Sequence, residues 1–546
     1  MKYFLLFTIL FSSAVYPCTN LLVTKGASAD GSTMITYNAD AGGFMEPLFY
    51  LPRMQHAPGS MLEVYDWDTG KYLGEIPQVE ETYRVVGNMN EYQLAIGETT
   101  FTGHKKLRDT TGKIDYGSLI RITLQRAKTA KEAINIMTDL VETHGYYSTG
   151  ESFSIADKNE VWILEMHPKG VGNTGAVWVA RKIPDGYISA HANQSRIREF
   201  PLDDKENCIF SPDVVSYAIE AGLYDSEKDG EFSFMDAYNP IDPTGYLYCE
   251  GRVWSIFSRA AASEGLSSDY WRCVEGADPY PLYIKPDKKL TVADAIDLMR
   301  DHFEGTEYDM TKGLAAGPYG NPYRWKNLTW DYKADTTVKY GWERPISTQQ
   351  TAFAFVSQSR GSLPDDIGGV FWYGVDDNYS NVYMPLYVSM QEVPEAFQGA
   401  SIKDFDMKSA FWIFSLVANK AYSMYSYMIK DIQEVQSELE SSFFEMQPSI
   451  EKTALEIYNK DPKLAREFLT SYTKQQVART MDEWTELWQY LVVKYNDGYV
   501  NEVEKNNGRS PKGVGYSEDF LRNVLQERPN YYKLEMRPAE VETGSR

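Results

Sequence analysis

Cysteine is scarce in this chain: Cys18, Cys208, Cys249 and Cys273 are the only four in 546 residues. Four are too few to staple a chain of that length, so stability has to come from a buried core. Basic charge is also short. Lys and Arg number 54 against 77 Asp and Glu, for a net charge of −23, and no Lys/Arg block interrupts the acidic background. Such a surface repels phosphate backbones, which argues against a nucleic-acid partner. After residue 17 no stretch reaches the roughly 18 apolar residues that a membrane helix needs. The histidines, His56, His104, His144, His167, His191 and His302, show no H-E-x-x-H or comparable spacing. A Gly-rich phosphate loop is missing too, so neither a metal nor a cofactor is expected.

What is present points outward from the cytoplasm. Met1 to Pro17 opens with Lys2, continues through the apolar run Tyr3 to Phe11 and ends in the small residues Ser12, Ser13 and Ala14. This reads as a secretory leader whose apolar part is too short to span a bilayer. Pro17 is a poor residue for signal peptidase, whereas Ser12-x-Ala14 fits the small-x-small rule, so export cleavage is expected after Ala14. That leaves Val15-Tyr16-Pro17 ahead of Cys18. The mature protein is expected to be periplasmic or extracellular and free of the membrane. A lipid-modified Cys18 is disfavoured, because Val15-Tyr16-Pro17 lacks the Leu and small residues that precede such cysteines.

Cys18-Thr19-Asn20-Leu21-Leu22-Val23-Thr24 and Thr33-Met34-Ile35-Thr36-Tyr37-Asn38 are β-prone runs joined by a Gly-containing turn, which predicts a hairpin with Cys18 first on its first strand. A cysteine at a newly made N-terminus has a nucleophilic thiol and an α-amine whose ordinary pKa is about 8. One residue then attacks an amide carbonyl and carries the proton, and no separate histidine is needed. Cys18 attacking the Pro17 carbonyl would also remove the three upstream residues. From position alone, a structural cysteine is the default reading.

Longer strings change that balance. Cys18 to Asp40 (CTNLLVTKGASADGSTMITYNAD), Gly87 to Thr100, His191-Ala192-Asn193-Gln194-Ser195-Arg196-Ile197, Gly251-Arg252-Val253-Trp254, Gly313 to Pro322 and Arg344 to Tyr387 occur in one order along the chain. Together they resemble the secreted dipeptidases among the cysteine-type N-terminal-nucleophile hydrolases, relatives of the bile-salt hydrolases and penicillin V acylases. The resemblance covers nearly the whole mature chain. It implies an α+β fold, the four-layer αββα sandwich with two antiparallel sheets between helix layers, and a nucleophile at the end of an inner strand. It implies catalytic roles for Cys18 as nucleophile, Asp40 as holder of the N-terminal amine, Asn193 as oxyanion donor and Arg252 as a positive charge near the thiol. Thr99 falls near a further oxyanion contact that bile-salt hydrolases take from asparagine, and so becomes a candidate for substrate binding. Where several relatives have arginine this chain has Tyr37, which removes one activating charge. Unaided, Asp40 would read as a turn residue, Asn193 as a cap or as the acceptor of the sequon Asn193-Gln194-Ser195, and Arg252 as half of a surface ion pair.

The remaining chain supports helices laid on antiparallel strands. Tyr116–Ala127 and Thr129–His144 read as helices, the second with Thr129 as cap and Glu132 at the capping-box position. Ser152–Ala156 and Val161–Met166 read as a hairpin. Residues 18–403 are assigned to the hydrolase domain and 404–506 to a helical extension, because Phe411, Phe414, Ala418, Ala421, Tyr425, Met428 and Ile432 form an apolar stripe, as do Trp484, Leu487, Trp488, Leu491 and Tyr495. These stripes fit packing on the sheet domain or at a subunit interface, which leaves room for a homo-oligomer. Residues 507–546 are expected to be loosely ordered. If Cys18 stays reduced, one disulfide among the other three cysteines is the simplest arithmetic, with Cys249–Cys273 preferred. The expected activity is exported dipeptide hydrolysis through a Cys18 thioester, with small peptides as substrate. The rivals are an amidase for N-acyl amino acids or bile-salt-like conjugates, and a non-catalytic surface binding protein.

Overall fold

The computed structural model describes residues 18–42, 45–325, 327–332, 335–399, 401–502 and 511–534. The leader and its expected cleavage after Ala14 lie outside the described residues. The strands that matter here are, in chain order, β1 (Cys18–Val23), β2 (Thr33–Ala39), β3 (Tyr50–Leu51), β4 (Val85–Val86), β5 (Met89–Asn90), β6 (Ala95–Phe101), β7 (Gly150–Ala156), β8 (Val161–Pro168), β9 (Ala176–Lys182), β10 (Ile188–His191), β11 (Cys208–Phe210), β12 (Tyr283–Ile284), β13 (Phe353–Ser359), β14 (Gly369–Val375) and β15 (Met384–Tyr387). They form a seven-stranded sheet in the order β12-β10-β1-β2-β13-β14-β15 and an eight-stranded sheet in the order β11-β9-β8-β7-β6-β5-β4-β3. Neighbouring strands in both sheets pair antiparallel.

The expected hairpin is β1–β2, in register Cys18↔Ala39 and Leu22↔Ile35. Every residue of both strands is buried, so the polar Asn20, Thr36 and Asn38 are satisfied inside the protein rather than by water. One face of the pair meets β6 and β7 of the second sheet. Helices α1 (Tyr116–Leu124) and α2 (Ala130–His144) pack on the second sheet, while α3 (Gly251–Ala260) and α4 (Val292–Met299) pack on the first. The arrangement is a mixed α+β fold, as the sequence implies.

Helix α1 stops short of the expected Ala127. Asn90 Nδ2 donates to both Leu124 O and Ala127 O at 2.8 Å and turns the chain toward α2. Thr129 caps α2 through Glu132 N, but the Glu132 carboxylate accepts from Lys128 N at 2.8 Å, one residue before the capping-box donor. Later come α5 (Ala410–Ala421), α6 (Tyr425–Tyr458), α7 (Pro462–Lys494) and α8 (Glu518–Glu527). The stripe from Phe411 to Ile432 is carried by two helices rather than one. The break at Tyr422–Met424 lets Tyr422 donate its hydroxyl to Asp377 at 2.8 Å. Side chains of α5 to α7 belong to the same continuous core as the first sheet. Buried Arg300–Glu440 and Arg360–Glu451 pairs join α6 to that sheet domain. Within the segment expected to be loose, α8 is capped by Ser517, and none of its residues is buried. No helix among the described residues is long and apolar enough to cross a membrane.

The expected Cys249–Cys273 disulfide is absent, and neither cysteine is bridged. Cys249 is enclosed in the turn that enters α3, whereas Cys273 lies exposed on the surface, so the two do not meet. Of the three Asn-x-Ser/Thr sequons at Asn193, Asn327 and Asn378, the last is fully buried. Asn378 Nδ2 donates to Met299 O at 2.7 Å, which leaves no place for a glycan.

Candidate active site

Cys18 begins a strand at the middle of the first sheet, and its side chain is 2% exposed. Its backbone nitrogen donates to Asn193 Oδ1 at 2.7 Å. Its Sγ lies 3.6 Å from Tyr37 Oη and 3.7 Å from Glu98 Oε1, and the backbone N–H of Asp40 also bonds it. Tyr37 donates its hydroxyl to the same Glu98 carboxylate. Burial pushes the thiol well above its ordinary pKa, the Glu98 and Asp40 carboxylates add to this, and the contacts from Tyr37 Oη and Asp40 N–H oppose it.

Asn193 follows β10 in the left-handed region, at φ 61°, a conformation that asparagine adopts more readily than most residues. The turn is held from below by Glu165 of β8, whose carboxylate accepts from Ser195 Oγ, Arg196 N and Ile197 N. Asn193 Nδ2 donates to Thr100 O at 2.8 Å, and its Oδ1 also accepts from Arg252 Nη2 at 3.0 Å. The Arg252 guanidinium is fully buried and donates to Cys18 O, Thr19 Oγ1 and Ala192 O, while its Nε donates to Tyr248 O. It therefore ties the Cys18 strand to the Asn193 turn. Burial lowers its pKa to about 10, so it remains cationic.

Cys18, Asn193, Arg252 and Asp40 thus converge, but Asp40 spends its carboxylate on partners that the sequence did not indicate. It accepts from Arg344 Nη2 at 2.5 Å and Thr351 Oγ1 at 2.6 Å, while the contact to Cys18 N is supplied by Asn193. Thr99 points elsewhere: it is fully buried, and its hydroxyl bonds His191 Nδ1 at 2.7 Å. His191 Nε2 in turn bonds Ser154 Oγ, and burial lowers the ring's pKa to about 3, so the imidazole is neutral. Sequence reasoning missed Glu98, Arg344 and Glu151. Glu98 could have been found by strand alternation, because it is the neighbour of Thr99 and adjacent strand residues project to opposite sides.

A cavity of about 650 Å³ adjoins this cluster, with Asn193, Arg252, Arg344, Tyr248, Lys105 and Thr102 among its lining residues. Beside the sulfur lie buried carboxyl groups. Glu98 is pushed up to about 7, chiefly by burial, and Glu151, hydrogen-bonded to it, is pushed further up by burial and by Glu98. Among the described residues, no group of three or more His, Cys, Asp or Glu side chains is placed to hold a metal ion.

Glu98 and Glu165 rise from 4.5 to about 7, and Asp301 rises from 3.8 to about 6, with burial the first cause in each. Because these folded values exceed the unfolded ones, the stabilisation they give is complete below about pH 4 and is lost as pH rises through 6 to 7. Buried neutral His167 and His191 act the other way, but only below their ordinary value of 6.5. Raising the pH from about 6.5 to about 8.5 is therefore expected to lower the melting temperature. A calorimetric series that stays flat or climbs over that interval contradicts this assignment.

Comparison with known proteins gives this geometry a family. The model of peptidase family C69 matches residues 17–57 and 48–438. A probable dipeptidase of Salmonella dublin is 27% identical over 415 residues, covering 72% of this chain and 86% of the relative. One from Latilactobacillus sakei is 26% identical over 444 residues, covering 77% and 85%. Probable dipeptidase B of Streptococcus pyogenes serotype M1 is 25% identical over 480 residues, covering 83% and 88%.

Proposed function

Because the chain belongs to peptidase family C69 and is a cysteine-type dipeptidase, we propose that it hydrolyses dipeptides through a thioester on Cys18, after export and trimming have made Cys18 the N-terminal residue. The observation that carries this reading is the placement of one residue. Cys18 starts an inner strand beside a cavity, its nitrogen is held by Asn193 and its carbonyl by Arg252.

In the proposed reaction, Sγ bonds to the peptide carbonyl carbon while the thiol proton passes to the Cys18 α-amine. The developing oxyanion is met by the Asn193 side-chain amide and a backbone N–H. The C–N bond then breaks, and the amine returns the proton to the leaving amino acid. Water adds to the thioester, releases the second amino acid and restores the thiol. Arg252 holds the strand and the oxyanion turn in register, and the Asp40–Arg344 pair supports the end of β2 next to the sulfur. The two packed antiparallel sheets, with helices on each, support the reading of a four-layer N-terminal-nucleophile sandwich.

The test pairs substrate with processing. The purified protein should cleave unblocked dipeptides, and its intact mass should begin at Cys18. Activity confined to N-acyl amino acids would make it an amidase on the same fold, and an active enzyme that keeps residues ahead of Cys18 would refute the amine-as-base mechanism.

A further inference from the structure

A carboxylate beside the nucleophile is an odd neighbour, because negative charge near sulfur disfavours the thiolate on which the reaction depends. Glu98 sits there nonetheless, 3.7 Å from Sγ and 1% exposed. Behind it, Glu151 is fully buried and hydrogen-bonded to Glu98. Two enclosed carboxyl groups beside one thiol form an acidic pair whose charge a cation would neutralise. Arg252, Arg344 and Lys105 line the adjoining cavity, so both signs of charge occur in the surroundings of Cys18. A dipeptide carries matching charges, an ammonium on the acyl half and a carboxylate on the leaving half.

The distances agree. When an acyl carbon bonds to Sγ, the α-nitrogen of that residue follows after two further bonds of about 1.5 Å each. It therefore lies about 3–4 Å from the sulfur, the same separation from Sγ as Glu98 Oε1. We propose that Glu98, backed by Glu151, binds the free α-ammonium of the substrate's first residue, and that this pairing removes the negative charge that otherwise restrains the Cys18 thiol. The inference rests on the dipeptidase reading above and assigns its amino-terminal specificity to one side chain. Substrates without an ammonium neither fill the site nor relieve the thiol.

Several elements bring groups to Glu98: Cys18 from β1, Tyr37 from β2, Thr100 from β6 itself, Glu151 from β7, Tyr116 from α1, and Asp68 from the turn between Tyr65 and Tyr72. Burial raises the pKa of both carboxyls, and the hydrogen bond between Glu98 and Glu151 makes them titrate as a pair, so a cation bound at Glu98 acts on both.

The experiment compares kcat/KM for a dipeptide and for its N-acetyl form, in wild type and in Glu98→Gln, using protein whose mass shows Cys18 at the N-terminus. Wild type should prefer the free amine by about 100-fold or more, since a site built for a polar group rejects analogues that lack it. In Glu98→Gln that ratio should collapse toward unity, and iodoacetamide should alkylate Cys18 at lower pH than in wild type. Equal loss on both substrates, or an unchanged ratio, overturns the proposal while leaving the dipeptidase reading intact. Wild type that cleaves neither peptide overturns the dipeptidase reading itself. A second measurement needs no folded variant: relative to a free thiol, wild-type Cys18 should react faster with cationic 2-aminoethyl methanethiosulfonate than with neutral methyl methanethiosulfonate. No preference for the cationic reagent would equally refute the role of Glu98.

Discussion

Cys18→Ala is expected to abolish dipeptide hydrolysis, with kcat falling by about 10⁵-fold or more, the scale seen when a nucleophile is removed from a catalytic unit. The side chain that bonds to the substrate is gone, so the amine of residue 18 has no thiol proton to take. What remains is binding in the cavity and polarisation by the Asn193 turn, which act on a reaction with no nucleophile. Fold should be retained, because alanine occupies less space than cysteine at a strand end whose register is set by pairing to Ala39. A second consequence follows from self-trimming. If Cys18 attacks the Pro17 carbonyl, the alanine variant should carry Val15-Tyr16-Pro17 and weigh more than the mature wild type by those residues. Intact-mass spectrometry and a dipeptide assay on one preparation read both effects. Substantial activity in the alanine variant would remove Cys18 from the mechanism.

Arg344→Met should cost stability as well as activity. Asp40 and Arg344 face each other with side chains 0% and 3% exposed. Removing one partner leaves a charge in the interior, and the typical loss is about 3–5 kcal/mol. Burial already drives the Asp40 pKa upward, and the Arg344 guanidinium is the largest opposing influence. In the variant Asp40 should take up a proton, so the destabilisation should grow with pH. The end of β2 would shift with it, and the Asp40 N–H that bonds Cys18 Sγ belongs to that end. Denaturant midpoints across a pH series measure the loss, and the double variant Asp40→Asn/Arg344→Met should recover part of it. An Arg344→Met protein as stable as wild type would mean that the pair is dispensable.

Thr99 and Glu98 show where reading along the chain falls short. The motif marks the Gly97-Glu98-Thr99-Thr100 strand as part of the site region, but along the chain Glu98 and its neighbour Thr99 are equally eligible. In a strand that single step exchanges the two sides: Thr99 turns to His191, and Glu98 reaches the thiol. Without the register of β6 against the first sheet, nothing in the sequence decides between them. Asp40 has a similar history. Its place beside Cys18 is legible from the motif, while its partner is not, because Arg344 lies 304 residues further along the chain. Helix α1 was legible as a helix, but its end was set by Asn90, a distant side chain that takes its last carbonyls.

By itself the sequence determined Cys18 as the candidate nucleophile, the hairpin it begins, the order of the family-like strings and the helical character of the extension. These are local patterns, carried by residue type and by spacings of two, three and four. Tertiary structure alone decided which groups surround the sulfur: Asn193 on the nitrogen, Glu98 and Tyr37 beside the thiol, and Arg344 on Asp40. It also kept Cys249 and Cys273 apart. Asn193 and Glu98 lie 175 and 80 residues from Cys18. Contacts at such separations depend on strand register and on how the two sheets seat against each other, and chain-local periodicity carries no information about either.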